Sequence, residues 1–79
     1  MPTSRMVMMT VSGGELKMSW PEVVGMDILT AAKRIHKDRP DVRLEFHRIG
    51  DPTEPGYDDK RVRIFIHDDY TVAQTPVVG

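Results

Sequence analysis

The fold of this chain is decided by residues 42–66, VRLEFHRIGDPTEPGYDDKRVRIFI. Residues 42–46 and 61–66 both alternate apolar and polar side chains, which is the pattern of half-buried strands. Between them, residues 51–60 contain Pro52, Pro55 and Gly56, which disfavour regular structure. Small domains rarely keep so long an irregular loop without a use for it. We therefore expect the two strands to present this loop to a partner.

The composition limits the class of protein. A chain of 79 residues has room for one domain, whose core buries only roughly 60% of the unfolded chain's surface. The chain has no cysteine, so it can form neither disulfides nor zinc sites of the cysteine type. A net charge of -1, with Lys and Arg scattered, predicts no nucleic-acid partner. The apolar run at residues 6–11 is too short to span a membrane, so we expect no membrane partner.

The cellular location and the oligomeric state are predicted without a specific motif. No stretch resembles a signal-peptide core, so a cytoplasmic location is expected, with secretion or vacuolar delivery left open. A monomer is expected as well.

The chain lacks the residue groups that predict catalysis or metal binding. Its histidines, His36, His47 and His67, are scattered without paired ligand spacing, so we interpret them as surface residues. No serine has a nucleophile motif around it. The sequence therefore predicts neither an enzyme nor a cofactor nor a metal site.

The first half of the chain predicts a tail followed by one helix. Residues 1–18 show no period that would bury a face, so we expect a flexible tail and a domain at residues 19–79. Asp27 is suited to cap a helix whose apolar stripe includes Ile28, Ala31 and Ile35. Pro40 then ends that helix.

The order of these elements predicts a small α+β domain in which one helix covers one face of a sheet. Strict alternation turns Arg61 and Arg63 to the opposite face, under or beside the loop. The core-facing side chains of the two strands are expected to be Leu44, Phe46, Val62, Ile64 and Ile66.

The second part of the chain contains several short motifs, among them WPEVVG at 20–25, DRP at 38–40, RVRIF at 61–65 and VG at 78–79. With these motifs the chain resembles the potato inhibitor I family of serine protease inhibitors, especially its cysteine-free cereal members. The resemblance runs without gaps from about Trp20 to Gly79. It implies a single helix packed on a small mixed sheet, with an exposed reactive-site loop joining two parallel strands. It also implies a plant source and a role in plant defence or the wound response.

The resemblance further implies how the chain acts. Family members offer the loop as a substrate-like strand to a subtilisin-like or chymotrypsin-like protease. Its matching positions place the scissile bond between Pro55 and Gly56, and loop support at Arg61, Arg63 and the terminal Gly79. The expected contact residues of the loop are Thr53, Glu54, Pro55, Gly56 and Tyr57.

The loop departs from the family pattern at its centre. Pro55 has no amide hydrogen to donate to a protease, and Gly56 has no side chain for an arginine to hold. A Glu54 carboxylate paired with Arg61 or Arg63 would partly compensate. Pro55-Gly56 also predicts a type II turn, which competes with an extended loop. The sequence therefore leaves open weak or altered inhibition, a shifted register with Glu54 as the specificity residue, and a non-inhibitory binding module on the same scaffold.

Overall fold

The computed structural model describes residues 16–79 and has one helix and three strands. A 3-10 turn at Pro21–Val23 precedes helix α1, Ile28–Asp38. The strands are β1 at Arg43–Arg48, β2 at Arg61–Ile66 and β3 at Val77–Val78. They form one sheet in the order β1-β2-β3, with β1 parallel and β3 antiparallel to β2. The predicted α+β fold with a small mixed sheet is confirmed.

Helix α1 begins and ends where the sequence predicts. The Asp27 carboxylate accepts hydrogen bonds from the Thr30 amide at 3.0 Å and from the Thr30 hydroxyl at 2.7 Å. These bonds satisfy a backbone donor that has no partner inside the helix, and they hold the pKa of Asp27 below its ordinary value. At the other end, the Arg39 amide donates to the Ile35 carbonyl just before Pro40.

The core lies between α1 and the inner face of the sheet. Trp20 is fully buried, and its indole nitrogen donates to the Asp38 carboxylate at 3.0 Å, so the ring is held without an unpaired polar atom. The buried hydrophobic residues are Trp20, Val23, Ala31, Ile35, Val42, Val62, Ile64, Ile66, Val72 and Val78.

Phe46 lies on the predicted face of the sheet, but the expectation that it is part of the core was wrong. It pairs in register with the buried Ile64, yet 46% of its surface is exposed. Strand β1 is an edge strand with one neighbour, whereas β2 has a neighbour on each side, so side chains on β1 are covered less completely. Leu44, on the same strand, packs against the core only in part.

The last residues of the predicted tail make contacts with the domain. The Met18 carbonyl accepts from the Val78 amide at 2.9 Å, and the Lys17 carbonyl accepts from the Arg39 guanidinium at 2.9 Å. Arg39 is only 2% exposed and forms a two-pronged ion pair with Asp41 at 2.8 and 2.9 Å. This pair lowers the pKa of Asp41 well below its ordinary value. Residues 1–15, the rest of the predicted tail, lie outside the described residues.

The packing of α1 predicts a sharp contrast between two of its positions. Ile35 is fully buried, whereas Leu29 is 70% exposed. We expect Ile35→Ala to lower the free energy of unfolding by about 2–5 kcal/mol through lost burial and a cavity. Leu29→Ala, the matched control, should change it by less than about 0.5 kcal/mol. Urea denaturation followed by tryptophan fluorescence measures both, and equal losses would contradict the proposed core.

Candidate functional site

The candidate site is the loop at residues 51–60, which connects the parallel strands β1 and β2 and is anchored at both ends. At its start, the Asp51 carboxylate accepts from the Arg48 amide at 3.0 Å. At its end, the Asp58 carboxylate accepts from the Lys60 amide at 2.9 Å and pairs with Arg43 at 2.6 Å. Residues 51–57 are all exposed.

Arg61 ties the loop to the end of the chain. Its Nε and Nη2 donate to the Gly79 carbonyl oxygen at 2.9 and 2.8 Å, and Nη2 also donates to the Gly56 carbonyl at 3.0 Å. The Gly79 amide in turn donates to the Arg61 carbonyl at 2.9 Å. Only 7% of Arg61 is exposed, so its charged hydrogen bonds compete little with water. Arg61 thus connects Gly79 to the backbone of the loop at Gly56.

Arg63 holds the loop from the next outward position of β2. Its Nη2 donates to the Glu54 carbonyl at 2.8 Å. Its Nε lies 3.5 Å from the carboxylate of Glu45, which is its partner across the parallel β1–β2 pair. The guanidinium is therefore held between a strand carboxylate and the loop backbone.

Together the two arginines bind the carbonyl groups of the residues before and after Pro55, but not that of Pro55 itself. Glu54 and Gly56, on either side of Pro55, have their carbonyl oxygens bound by guanidinium groups. Within residues 16–79, the Pro55 carbonyl has no hydrogen-bond donor. The arrangement fixes the chain on both sides of residue 55 and leaves the carbonyl between them available to an outside donor.

Comparison with known proteins agrees with this geometry. The family model of the potato inhibitor I family matches residues 12–79. The chain belongs to this family. A chymotrypsin inhibitor of Lumbricus terrestris is 39% identical over 64 residues, which cover 81% of this chain and 74% of that protein. A subtilisin-chymotrypsin inhibitor of Hordeum vulgare, a cereal, is 31% identical over 70 residues, covering 89% and 91%.

A solved crystal structure shows the same fold as this chain. It is the crystal structure of bitter gourd trypsin inhibitor, with a TM-score of 0.78 and 29% identity over 82% of this chain and 96% of that one. The relatives are named as protease inhibitors and not as enzymes.

Since Lumbricus terrestris is an earthworm, proteins similar to this chain are not limited to plants. The plant source and the role in plant defence stay predictions.

The predicted pairing of the Glu54 carboxylate with an arginine was wrong. Both arginines bind backbone carbonyls, and the Glu54 carboxylate has no hydrogen bond or ion pair to any residue in the range 16–79. The reason is the path of the loop, which turns the carbonyl of Glu54, and not its side chain, toward the guanidinium. Support of this inhibitor loop therefore does not require a particular side chain at residue 54.

The loop is neither fully extended nor a closed turn. Gly56 has φ +104°, in the region that favours glycine, as the second central residue of a type II turn requires. A closed turn would need the Tyr57 amide to donate to the Glu54 carbonyl, but no such bond forms and Arg63 occupies that oxygen. The chain thus bends at Gly56 without folding back on itself.

The remaining predicted contact residues lie beside this bend. The Tyr57 ring lies next to Gly79, where an added Cβ would be 3.8 Å from a ring carbon. Thr53 borders a hollow of about 280 Å³ between the loop and the outer face of the sheet, together with Arg63 and Phe65.

Sequence reasoning missed Glu45 as part of the support. Its Oε1 lies 3.2 Å from His47 Nε2 and 3.5 Å from Arg63 Nε, while the His47 ring stacks on Phe65 with centroids 5.4 Å apart. The His47 contact, followed by that of Arg63, lowers the pKa of Glu45. Alternation along β1 was the available signal, since it places Glu45 and His47 on the face that carries the arginines.

Neither a metal site nor a membrane span is found among residues 16–79. In that range, no three His, Asp or Glu side chains converge as a metal site would need. Likewise, no helix in it has the length and apolar character to cross a bilayer.

The carbonyl contacts predict how the loop responds to loss of an arginine. A hydrogen bond to a charged group contributes about 1.5–3 kcal/mol, so Arg61→Ala or Arg63→Ala should raise the population of open loop by about tenfold or more. The rate of nicking between residues 51 and 60 by dilute thermolysin measures this population. Arg48→Ala, which removes an exposed pair with Asp68, is the control and should leave the rate unchanged. Equal rates in all variants would contradict the support role.

The Glu45 contacts predict a pH-dependent contribution to stability. Because the pKa of Glu45 is lowered in the folded state, its stabilising effect is present above the ordinary glutamate pKa and is lost as the pH falls through the folded value. Glu45→Gln should therefore destabilise the protein at pH 7 and match the native chain in strong acid. Urea denaturation between pH 7 and about 2.5 tests this. Glu54→Gln, which removes a carboxylate without a partner, should show no such difference.

Proposed function

We propose that this protein inhibits serine proteases of the subtilisin-like or chymotrypsin-like type by presenting residues 51–60 as a substrate-like loop. Its family and the names of its relatives support inhibition. The observation that carries the proposal is the Pro55 carbonyl, which accepts no hydrogen bond from residues 16–79, between two carbonyls that do. A serine protease needs that oxygen free, because it must enter the oxyanion hole of the enzyme. The scissile bond is then Pro55–Gly56.

The same contacts explain why such a loop would inhibit and not be digested. Glu54 on one side of the bond and Gly56 on the other are both held by the single strand β2, through Arg63 and Arg61. If the bond were cut, the two new ends would stay close to each other, which favours resealing. The loop is also ordered before binding, so little conformational entropy is lost on association.

Two features of the loop favour weak inhibition of ordinary chymotrypsin and subtilisin. Pro55 cannot donate the backbone hydrogen bond that these enzymes accept at the specificity position, which leaves an acceptor of the enzyme unpaired. The positive φ of Gly56 bends the chain directly after the bond, away from the shape of an extended substrate.

The alternative register, with Glu54 as the specificity residue, has less support. In that register the Glu54 carbonyl would have to enter the oxyanion hole, but it already accepts the 2.8 Å hydrogen bond from Arg63. A register centred on Pro55 leaves both guanidinium contacts intact.

A second candidate function is a non-inhibitory binding module on the same scaffold. The bend at Gly56 favours it, because a partner that is not a protease has no need of an extended loop. Whether the protein inhibits proteases or only binds a partner, a single chain contains the loop, both arginines and Gly79. Action as a monomer is therefore part of the proposal. The cytoplasmic location stays a prediction from the sequence.

Replacing the central proline tests inhibition directly. Pro55→Leu restores an amide donor and supplies a side chain that fills an apolar pocket. We expect the inhibition constant for chymotrypsin to fall by about ten- to a hundredfold, corresponding to one restored hydrogen bond and added burial. Steady-state inhibition assays measure it, with Pro52→Leu as a control that changes another proline of the loop. A native protein with nanomolar constants and no gain on substitution would contradict the proposed cause of weakness.

A further inference from the structure

Pro55 is the exposed centre of a loop whose flanking carbonyls are both fixed. Its position is set by the backbone on each side, and in the proposed register its pyrrolidine ring is the group that enters the specificity pocket of the enzyme. Such a ring is a poor ligand for a deep pocket that accepts long side chains. It is a suitable ligand for a shallow apolar pocket of its own shape.

We propose that the target of this loop is a serine endopeptidase that cleaves polypeptides after proline. The inference rests on the proposed function, since it assumes that the loop enters the active site of a protease with Pro55 at the specificity position. It adds to the proposed function a statement of specificity, namely that the target serine protease cleaves after proline and not after the residues that ordinary chymotrypsin and subtilisin prefer.

The missing amide hydrogen gives the first argument for this class. An enzyme that cleaves after other residues accepts a hydrogen bond from the amide at this position, and with Pro55 its acceptor is left unpaired. An enzyme that cleaves after proline has substrates without that donor, so it loses nothing on binding the loop. Pro55 thus weakens binding to enzymes that cleave after other residues and does not weaken binding to enzymes that cleave after proline. This difference in affinity is what makes the inhibitor specific.

The residues beside Pro55 give two further expectations about the target. An added Cβ at Gly56 would have no heavy atom of residues 16–79 within 4 Å, so this part of the chain leaves the space just after the bond open to an enzyme. The Glu54 carboxylate has no partner within residues 16–79 and is exposed. A target with a basic group beside its proline pocket would therefore bind more tightly than one with an apolar group there.

The test compares inhibition across protease classes, using the full chain. The enzymes are a post-proline serine endopeptidase that digests intact polypeptides, assayed with a prolyl-nitroanilide peptide, together with chymotrypsin and subtilisin. We expect the native protein to inhibit the first enzyme at least about tenfold more tightly than the other two. Mass spectrometry after long incubation should find one cut, between Pro55 and Gly56.

Matched variants separate specificity from loop stiffness. Pro55→Ala and Pro52→Ala each remove one proline from the loop, so a purely structural role would weaken inhibition of all three enzymes alike. We expect only Pro55→Ala to reduce the preference for the post-proline enzyme, by about tenfold or more. An unchanged preference in that variant, or a cut at any other bond, would overturn the inference.

Failure of the inference and failure of the proposed function give different results. If the native protein leaves the post-proline enzyme active while Pro55→Leu inhibits chymotrypsin, the loop is inhibitory and the target class is wrong. If neither protein inhibits any of the three enzymes, the inhibitory function itself is wrong and the binding module is favoured.

Discussion

The conformation of the loop depends on two hydrogen-bonded contacts between guanidinium groups of β2 and carbonyl groups of the loop. The parallel pairing of β1 and β2 makes these contacts possible. Two neighbouring parallel strands need a connection that runs back along the sheet from the end of the first to the start of the second. In most proteins this connection contains a helix. Here the return is made by a loop without a helix, and Arg61 and Arg63 replace the missing internal hydrogen bonds. The outer face of the sheet is therefore where the functional surface is built.

A network of charges surrounds the two arginines and links them to the rest of the fold. Arg61 is held by the Gly79 carbonyl, and Arg63 is held by Glu45, which also contacts His47. No loop side chain takes part in these contacts. The centre of the loop, residues 54–56, is thus held by residues of the sheet and by Gly79, and changes in the side chains of residues 54–56 leave these contacts in place.

Much of the fold could be predicted because its signals are local. Asp27 and Pro40 mark the ends of the helix, and alternation along residues 61–66 both defines β2 and turns Arg61 and Arg63 outward. The failures came from tertiary context. The exposure of Phe46 follows from the edge position of β1, and a carbonyl contact at Glu54 follows from the path of an irregular backbone, which no periodicity encodes.

Support through backbone carbonyls has a consequence for how specificity can change in this loop. Every residue has a carbonyl, so the contacts of Arg61 and Arg63 impose no choice of side chain at residues 54 and 56, and residue 55 is equally unconstrained by them. Gly56 is constrained for another reason, because φ +104° strains any residue with a Cβ. A larger residue at 56 would move the bend itself, and with it the Pro55 carbonyl. The bend and the identity of the specificity residue are thus two separate determinants of which enzyme the loop can enter.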